Sequence, residues 1–252
     1  MSRKDTRTPV LQNIYKIGFA SSSNFIPFLS KGTNFESAKQ NPLRIFNALL
    51  HAGLIKEVEV SNRIFNRQCL RDTFYTLTKA GLDALDVKDK RVRDKISITR
   101  VMHESGLNSI LLGFIYAFPE PEYKVEIERN YKFIGADARV VIHHNDKAYY
   151  FLIEFERSRS WEAIREEKLL ALNNSKTKVI IVYAHEEFNV LRSPVEWNES
   201  ILSFQQRHFK NFKHYTKDLK NLFLFMSYPD YTRPNETVFR DIFNSPRKLI
   251  NN

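Results

Sequence analysis

Residues 131–172 read YKFIGADARVVIHHNDKAYYFLIEFERSRSWEAIREEKLLAL, and the rest of the chain is organised around them. Phe133 to Ile142 is rich in β-branched and apolar residues. His143-His144-Asn145-Asp146 is polar, and Ala148 to Phe155 is a second apolar and aromatic run. Two such runs on either side of a polar turn predict a hairpin. Trp161, Ile164, Leu169 and Leu172 then recur at helical spacing, which predicts a helix.

Three carboxylates stand inside these apolar runs: Asp137 in the first strand, Glu154 and Glu156 at the end of the second. Side chains two apart on a strand point to the same face, so Glu154 and Glu156 project together. A hairpin that closes near the turn brings Asp137 within reach of that pair. Carboxylates clustered in this way raise one another's pKa unless a cation lies between them. A hard divalent ion with oxygen ligands, Mg²⁺ or Mn²⁺, suits the set. Lys168 falls four residues after Ile164 on the inward stripe of the predicted helix, where an ammonium could meet a phosphate. A lone acid in a strand ordinarily marks the solvated face. Three within apolar runs favour a metal site, since buried carboxylates need partners.

Around this centre the chain is basic. It has 252 residues and a net charge of +10. Residues 1–100 carry 18 Lys+Arg against 9 Asp+Glu, a balance of +9; residues 101–199 carry 12 against 16, or −4; residues 200–252 carry 9 against 4, or +5. Basic flanks around an acidic centre suit a polyanion held at the ends and worked on in the middle. The 42% hydrophobic content argues for a folded protein. No apolar run reaches the roughly 18–20 residues of a membrane span, and the basic start MSRKDTRTP has no apolar segment after it. The expectation is a cytosolic protein with no membrane partner. Cys69, the only cysteine, excludes an internal disulfide and a cysteine-cluster zinc site. There is no glycine-rich phosphate loop, so nucleotide-triphosphate chemistry is not expected.

In chain order, Val10 to Phe19 predicts a first helix and Asn24 to Ser30 a second. Asn41-Pro42 predicts the start of a third, with Leu43, Ile45, Phe46, Leu49 and Leu50 as its apolar positions and Gly53 as its end. IKEVEV and DTFYTLT predict strands on either side of a basic segment holding Arg63, Arg67 and Arg71, and KAGLDAL a short helix. DVKDKRVRD (residues 86–94) is a charged linker. A long helix is expected from Lys95 to Phe118, an edge strand from Tyr123 to Asn130, and an apolar strand from Thr177 to Ala184 paired in parallel through a helical crossover. A helix from Pro194 to Tyr215 and a strand from Asn221 to Tyr228 complete the pattern. The prediction is an α/β chain, α+β overall, divided at residues 8–86 and 95–245.

Two resemblances follow from these residues. NALLHAGLI with FYTLTKAGLDAL resembles a winged helix-turn-helix. The resemblance implies that the third helix enters the major groove through Lys39, Gln40, Arg44, Asn47 and His51, with Arg63, Arg67 and Arg71 on the wing. GADAR with FLIEFERS resembles the PD-(D/E)XK restriction-endonuclease-like superfamily, with a mixed sheet. That resemblance makes Asp137, Glu154 and Glu156 the metal set, and Glu104 and His103 additional contributors from the preceding helix. Ala136 stands at the motif proline and Glu156 at the motif lysine, a role the resemblance transfers to Lys168.

The order of these parts is similar to the replication-relaxation family of plasmid proteins, and within it to MobC-type relaxases. The similarity implies a metal-dependent DNA-nicking enzyme for plasmid mobilisation. Its partners would be double-stranded DNA at a transfer origin, the nicked single strand and accessory mobilisation proteins, with a homodimer left open. The alternative is a winged-helix regulator of plasmid replication or transcription built on a degenerate nuclease fold.

Overall fold

In this computed structural model, the described residues are 7–29, 35–61, 72–88, 94–131, 136–156, 171–174, 180–185, 221–227, 232, 234–236, 239–241 and 245–250. The chain divides into two units, Met1–Leu112 and Gly113–Asn252. The architecture is mixed α/β, with helices and both antiparallel and parallel sheets.

In the first unit, α1 (Arg7–Ile17) buries Val10, Leu11, Ile14 and Ile17, the recurrence of an amphipathic helix. Gly18 ends it at φ +88°, donating its N–H to the Ile14 carbonyl. The short strand β1 (Ala20–Ser21), a 3₁₀ turn (Ser22–Phe25) and α2 (Ile26–Leu29) follow. Asn24 joins this turn to the middle of α5 (Ile98–Ala117): its Oδ1 accepts the Ser21 N–H, and its Nδ2 donates to Ser109 Oγ at 2.8 Å.

Helix α3 spans Phe35–His51, so it begins six residues before the expected Asn41-Pro42 start and contains Pro42 internally. A proline forfeits one helical hydrogen bond, to the carbonyl four residues back. Here its ring is buried, and Asn41 donates to the Leu29 carbonyl rather than capping. Gly53, at φ +67°, closes the helix with a Leu54 N–H to Leu49 carbonyl bond.

Strands β2 (Ile55–Glu57) and β4 (Phe74–Leu77) pair antiparallel, and β1 adds to the other side of β4. IKEVEV is not one strand. Ile55 and Val58 are both buried although three apart, which breaks the two-residue period. The chain therefore leaves the first sheet at Val58, and β3 (Glu59–Ser61) pairs in parallel with β5 (Lys95–Ser97). The expected helix start at Lys95 is thus a strand. Ile96 packs with Phe19, Val58, Val60, Phe74 and Val101, and α5 begins where Ser97 Oγ accepts the Arg100 N–H. Helix α4 (Lys79–Ala84) is capped by Thr78, whose Oγ1 accepts the Gly81 N–H at 3.1 Å.

The second unit is a seven-stranded sheet in the order β12-β11-β10-β9-β8-β7-β6. Strands β6 (Lys124–Tyr131), β7 (Ala136–His144) and β8 (Lys147–Glu156) form an antiparallel meander with β6 at the edge, as its alternating charges predict. Strands β9 (Ile180–His185) and β10 (Leu222–Ser227) then run parallel to β8. Strands β11 (Phe239–Arg240) and β12 (Pro246–Arg247) are antiparallel additions. The β7–β8 turn is Asn145-Asp146 alone, both at positive φ (47° and 61°), so the histidines belong to the strand.

One face of the meander is apolar: Ala138, Val140 and Ile142 of β7 and Phe151, Ile153 and Phe155 of β8 are buried. Phe114, in the part of α5 that belongs to this unit, meets Phe151 with ring centroids 5.9 Å apart. Of the expected Trp161–Leu172 helix, only residues 171–172 are described, and they are helical. The expected helix from Pro194 to Tyr215 lies outside the described residues. No helix among the described residues is long and apolar enough to cross a membrane.

Candidate functional site

Asp137 and Glu154 lie on the face of the meander opposite Ala138 and Ile153, a face that also buries Val141 and Leu152. The β7–β8 register pairs Ala138 with Ile153. One step further from the turn, Asp137 and Glu154 therefore oppose each other, and directly opposed residues of an antiparallel pair share a face. Asp137 Oδ2 accepts the backbone N–H of Phe155 at 2.9 Å, which ties the carboxylate to the end of β8. Asp137 is half-buried, while Glu154 is only 4% exposed, set between the antiparallel neighbour β7 and the parallel neighbour β9. Two residues along β7 from Asp137, Arg139 is held by Glu128 of β6 at 2.8 Å.

Glu156 is the last residue of β8, and its backbone is aligned with His185 of β9. Its side chain lies outside the described residues, as does the whole of Lys168. Among the described residues no group of three His, Cys, Asp or Glu is placed to hold a metal ion. Asp137 and Glu154 alone are two hard oxygen donors on adjacent strands. Such a pair fits Mg²⁺ or Mn²⁺, since a small divalent ion takes one or two protein carboxylates and fills its shell with water and phosphate oxygens. The bond from Phe155 leaves that compatible, because a carboxylate has about four lone-pair sites.

Glu104 and His103 sit on α5 within the first unit. Glu104 is buried and ion-paired with Arg100 one helical turn earlier, and His103 is half-buried. Helix α3 exposes Gln40, Arg44, Asn47 and His51 on one side, with the Arg44 guanidinium donating to Asn41 Oδ1 at 3.2 Å. Lys39 belongs to α3 by its backbone, but its side chain lies outside the described residues; so do Arg63, Arg67 and Arg71 in full.

Other features carried no sequence signal. Leu43 and Leu50, placed on the apolar side of α3 by their type, are 47% and 37% exposed. A cavity of about 560 Å³ opens between Phe118, Tyr123 and Asn235, with Lys248 and Glu122 at its wall. Tyr123 stacks on His144 with centroids 4.5 Å apart. Desolvation raises the Tyr123 hydroxyl above its usual range, and Glu122 adds to the shift. At the edge of the sheet, Glu126 is held below the usual carboxylate range, first by its hydrogen bond from Lys124 and then by His143, against the opposing effect of burial.

No family model, no curated protein and no solved structure matches this chain. The functional reading therefore rests on the residues themselves.

Proposed function

We propose that this chain is a divalent-metal-dependent DNA endonuclease that nicks one strand, a relaxase of the kind the replication-relaxation resemblance implies. In this reading residues 8–86 are a winged-helix DNA-binding domain and residues 95–245 a PD-(D/E)XK nuclease-like domain acting at a plasmid transfer origin. The observation that carries it is the opposition of Asp137 and Glu154 on adjacent strands, with Glu154 buried in the sheet. Strand order lends further support: an antiparallel meander continued by parallel β9 and β10 accommodates the nuclease pattern. In the first unit, a three-stranded sheet formed by β1, β4 and β2 beside α1–α3 accommodates a winged helix.

Asp137 and Glu154 would hold the ion, with Glu156 as a third donor. When bound, Mg²⁺ or Mn²⁺ supplies Lewis-acid stabilisation of charge on the scissile phosphate. The Phe155 N–H orients the Asp137 carboxylate, and the sheet withdraws Glu154 from bulk water, where its charge acts more strongly. Lys168 would add a point charge for the phosphate. The basic surface of residues 1–100 would hold the duplex.

The test is conversion of supercoiled plasmid carrying the origin to open circles, with Mg²⁺ or Mn²⁺, by wild type, Asp137→Asn and Glu154→Gln. Metal-dependent nicking by wild type and a loss of at least 100-fold in both variants, with duplex binding retained, is the expected result. The second reading, a DNA-binding regulator, is favoured by Glu156 at the position of the motif lysine. Equal origin binding by all three proteins with no nicking by any would replace the enzyme by the regulator.

A further inference from the structure

The cavity of about 560 Å³ in the second unit lies at the turn end of the meander, apart from the opposed acids. Tyr123 of its wall stacks on His144, which stands seven residues along β7 from Asp137, about 24 Å in an extended strand. Pockets of roughly 300–1,000 Å³ hold small molecules. The wall joins two stretches distant in sequence: Phe118, Glu122 and Tyr123 where α5 passes to β6, and Asn235, Lys248 and Ile250 beyond β10. The Tyr123 ring is held from two sides. Phe118 meets it edge to face, with centroids 5.2 Å apart and an interplanar angle of 71°, and His144 stacks on it at 4.5 Å. An aromatic surface already fixed in this way loses little conformational entropy when a ligand packs on it.

Charges of both signs line the same space, the Glu122 carboxylate and the Lys248 ammonium. Among the described residues they form no ion pair with each other or with a third group. A simple anion in the cavity would meet Glu122, and a simple cation would meet Lys248. A neutral apolar molecule would strip water from both charges and give neither a partner. A molecule that carries both charges satisfies both. We infer that this cavity binds a free α-amino acid with an apolar or aromatic side chain. Its carboxylate meets Lys248, its ammonium meets Glu122, and its side chain packs on Phe118, Tyr123 and Ile250. The Asn235 amide, which both donates and accepts, serves either end of the zwitterion. The ligand bridges the two stretches of the wall, so its binding stabilises the folded second unit by mass action. The inference uses none of the candidate metal residues and is independent of the endonuclease reading.

The experiment takes the full chain and each of the common L-amino acids at millimolar concentration, followed by thermal midpoint and titration calorimetry. L-phenylalanine is compared with 3-phenylpropionate, which lacks the ammonium, and with phenethylamine, which lacks the carboxylate. Adenosine monophosphate serves as a planar anion. The expected result is saturable binding of amino acids with apolar or aromatic side chains, and a raised midpoint. Each half-charged analogue should bind at least about tenfold more weakly. Lys248→Met should abolish the preference for phenylalanine over phenethylamine, and Glu122→Gln the preference over 3-phenylpropionate. Both residues are exposed, so the variants keep the fold, and an unchanged urea midpoint without ligand verifies it. The inference is overturned if no amino acid binds, if the analogues bind as well as phenylalanine, or if both variants discriminate as wild type does. Tighter binding of adenosine monophosphate than of any amino acid assigns the cavity to an anion and also overturns it.

Discussion

Asp137 has two separable roles, one in the fold and one in the proposed chemistry. Its Oδ2 satisfies the Phe155 N–H at the end of β8. Asp137→Ala leaves that donor without its acceptor, a cost of about 1–3 kcal/mol for a buried group, measurable as a lower urea midpoint. Asp137→Asn keeps an acceptor oxygen, so its stability should stay within about 1 kcal/mol of wild type while metal-dependent nicking is lost. A parallel loss of stability in Asn and Ala would show that the charge, and not the acceptor, holds the strand end. Glu126 offers a pH test at the same scale. Its carboxyl titrates below the ordinary 4.5, chiefly because Lys124 donates to it. A depressed folded pKa means stabilisation that is present above the unfolded value and lost as pH falls through the folded one. The side chain is 49% exposed, so the effect on stability is small and screened by salt. Titration of the Glu126 carboxyl by NMR should show its pKa rise in Lys124→Ala; an unmoved value would reassign the shift to His143.

At the scale of single elements, α4 approaches the turn after α3 closely. A Cβ on Gly81 would lie 2.1 Å from the Leu54 carbonyl oxygen, a backbone atom that cannot swing aside. Gly81→Ala should therefore destabilise this unit by about 1–3 kcal/mol or more, despite the better helix propensity of alanine. Chemical denaturation that finds Gly81→Ala neutral would mean that the two segments separate readily. The β7–β8 hairpin makes the opposite prediction. Asp146 sits at φ 61°, where a Cβ costs about 1–2 kcal/mol, partly offset by the chain entropy a glycine adds. Asp146→Gly produces the Asn-Gly pair favoured by such a turn and should stabilise by about 0.5 kcal/mol, read as a raised thermal midpoint. Because the turn sets the register that opposes Asp137 to Glu154, the variant should leave nicking unchanged.

For the whole molecule, the net charge of +10 and its concentration at the two ends of the chain bear on affinity for a polyanion. Binding of a random duplex, followed by fluorescence anisotropy, should weaken log-linearly with salt, losing about 0.9 in log–log slope per phosphate neutralised. A flat salt response would argue that the charge serves solubility and not contact. The two units differ in what their sequences disclosed. In the second, alternation of apolar and charged residues marked β6, apolar runs marked β7 and β8, and the β8–β9 pairing is parallel as the predicted crossover requires. In the first, periodicity located α1, α3 and α4 but misplaced two boundaries. Pro42 lies within α3 with its ring buried, although it forfeits a helical hydrogen bond. Ile96 starts no helix because the apolar cluster around Phe19 and Val101 takes it as a strand residue.

The sequence by itself determined part of the local pattern: the runs that become β6, β7 and β8, a polar turn between the last two, and three acids that interrupt the apolar runs. Local pattern suffices for these because side-chain period and turn conformation depend on neighbours a few residues away. Only the tertiary structure decided that Asp137 faces Glu154 and accepts the Phe155 N–H, since strand register is a non-local choice in which a one-residue slip sends every side chain to the other face. It alone also decided that Leu43 and Leu50 stay at the surface while Ile45, Phe46 and Leu49 do not. All five are equally apolar in sequence, and the side of α3 on which each falls decides whether the surrounding chain covers it.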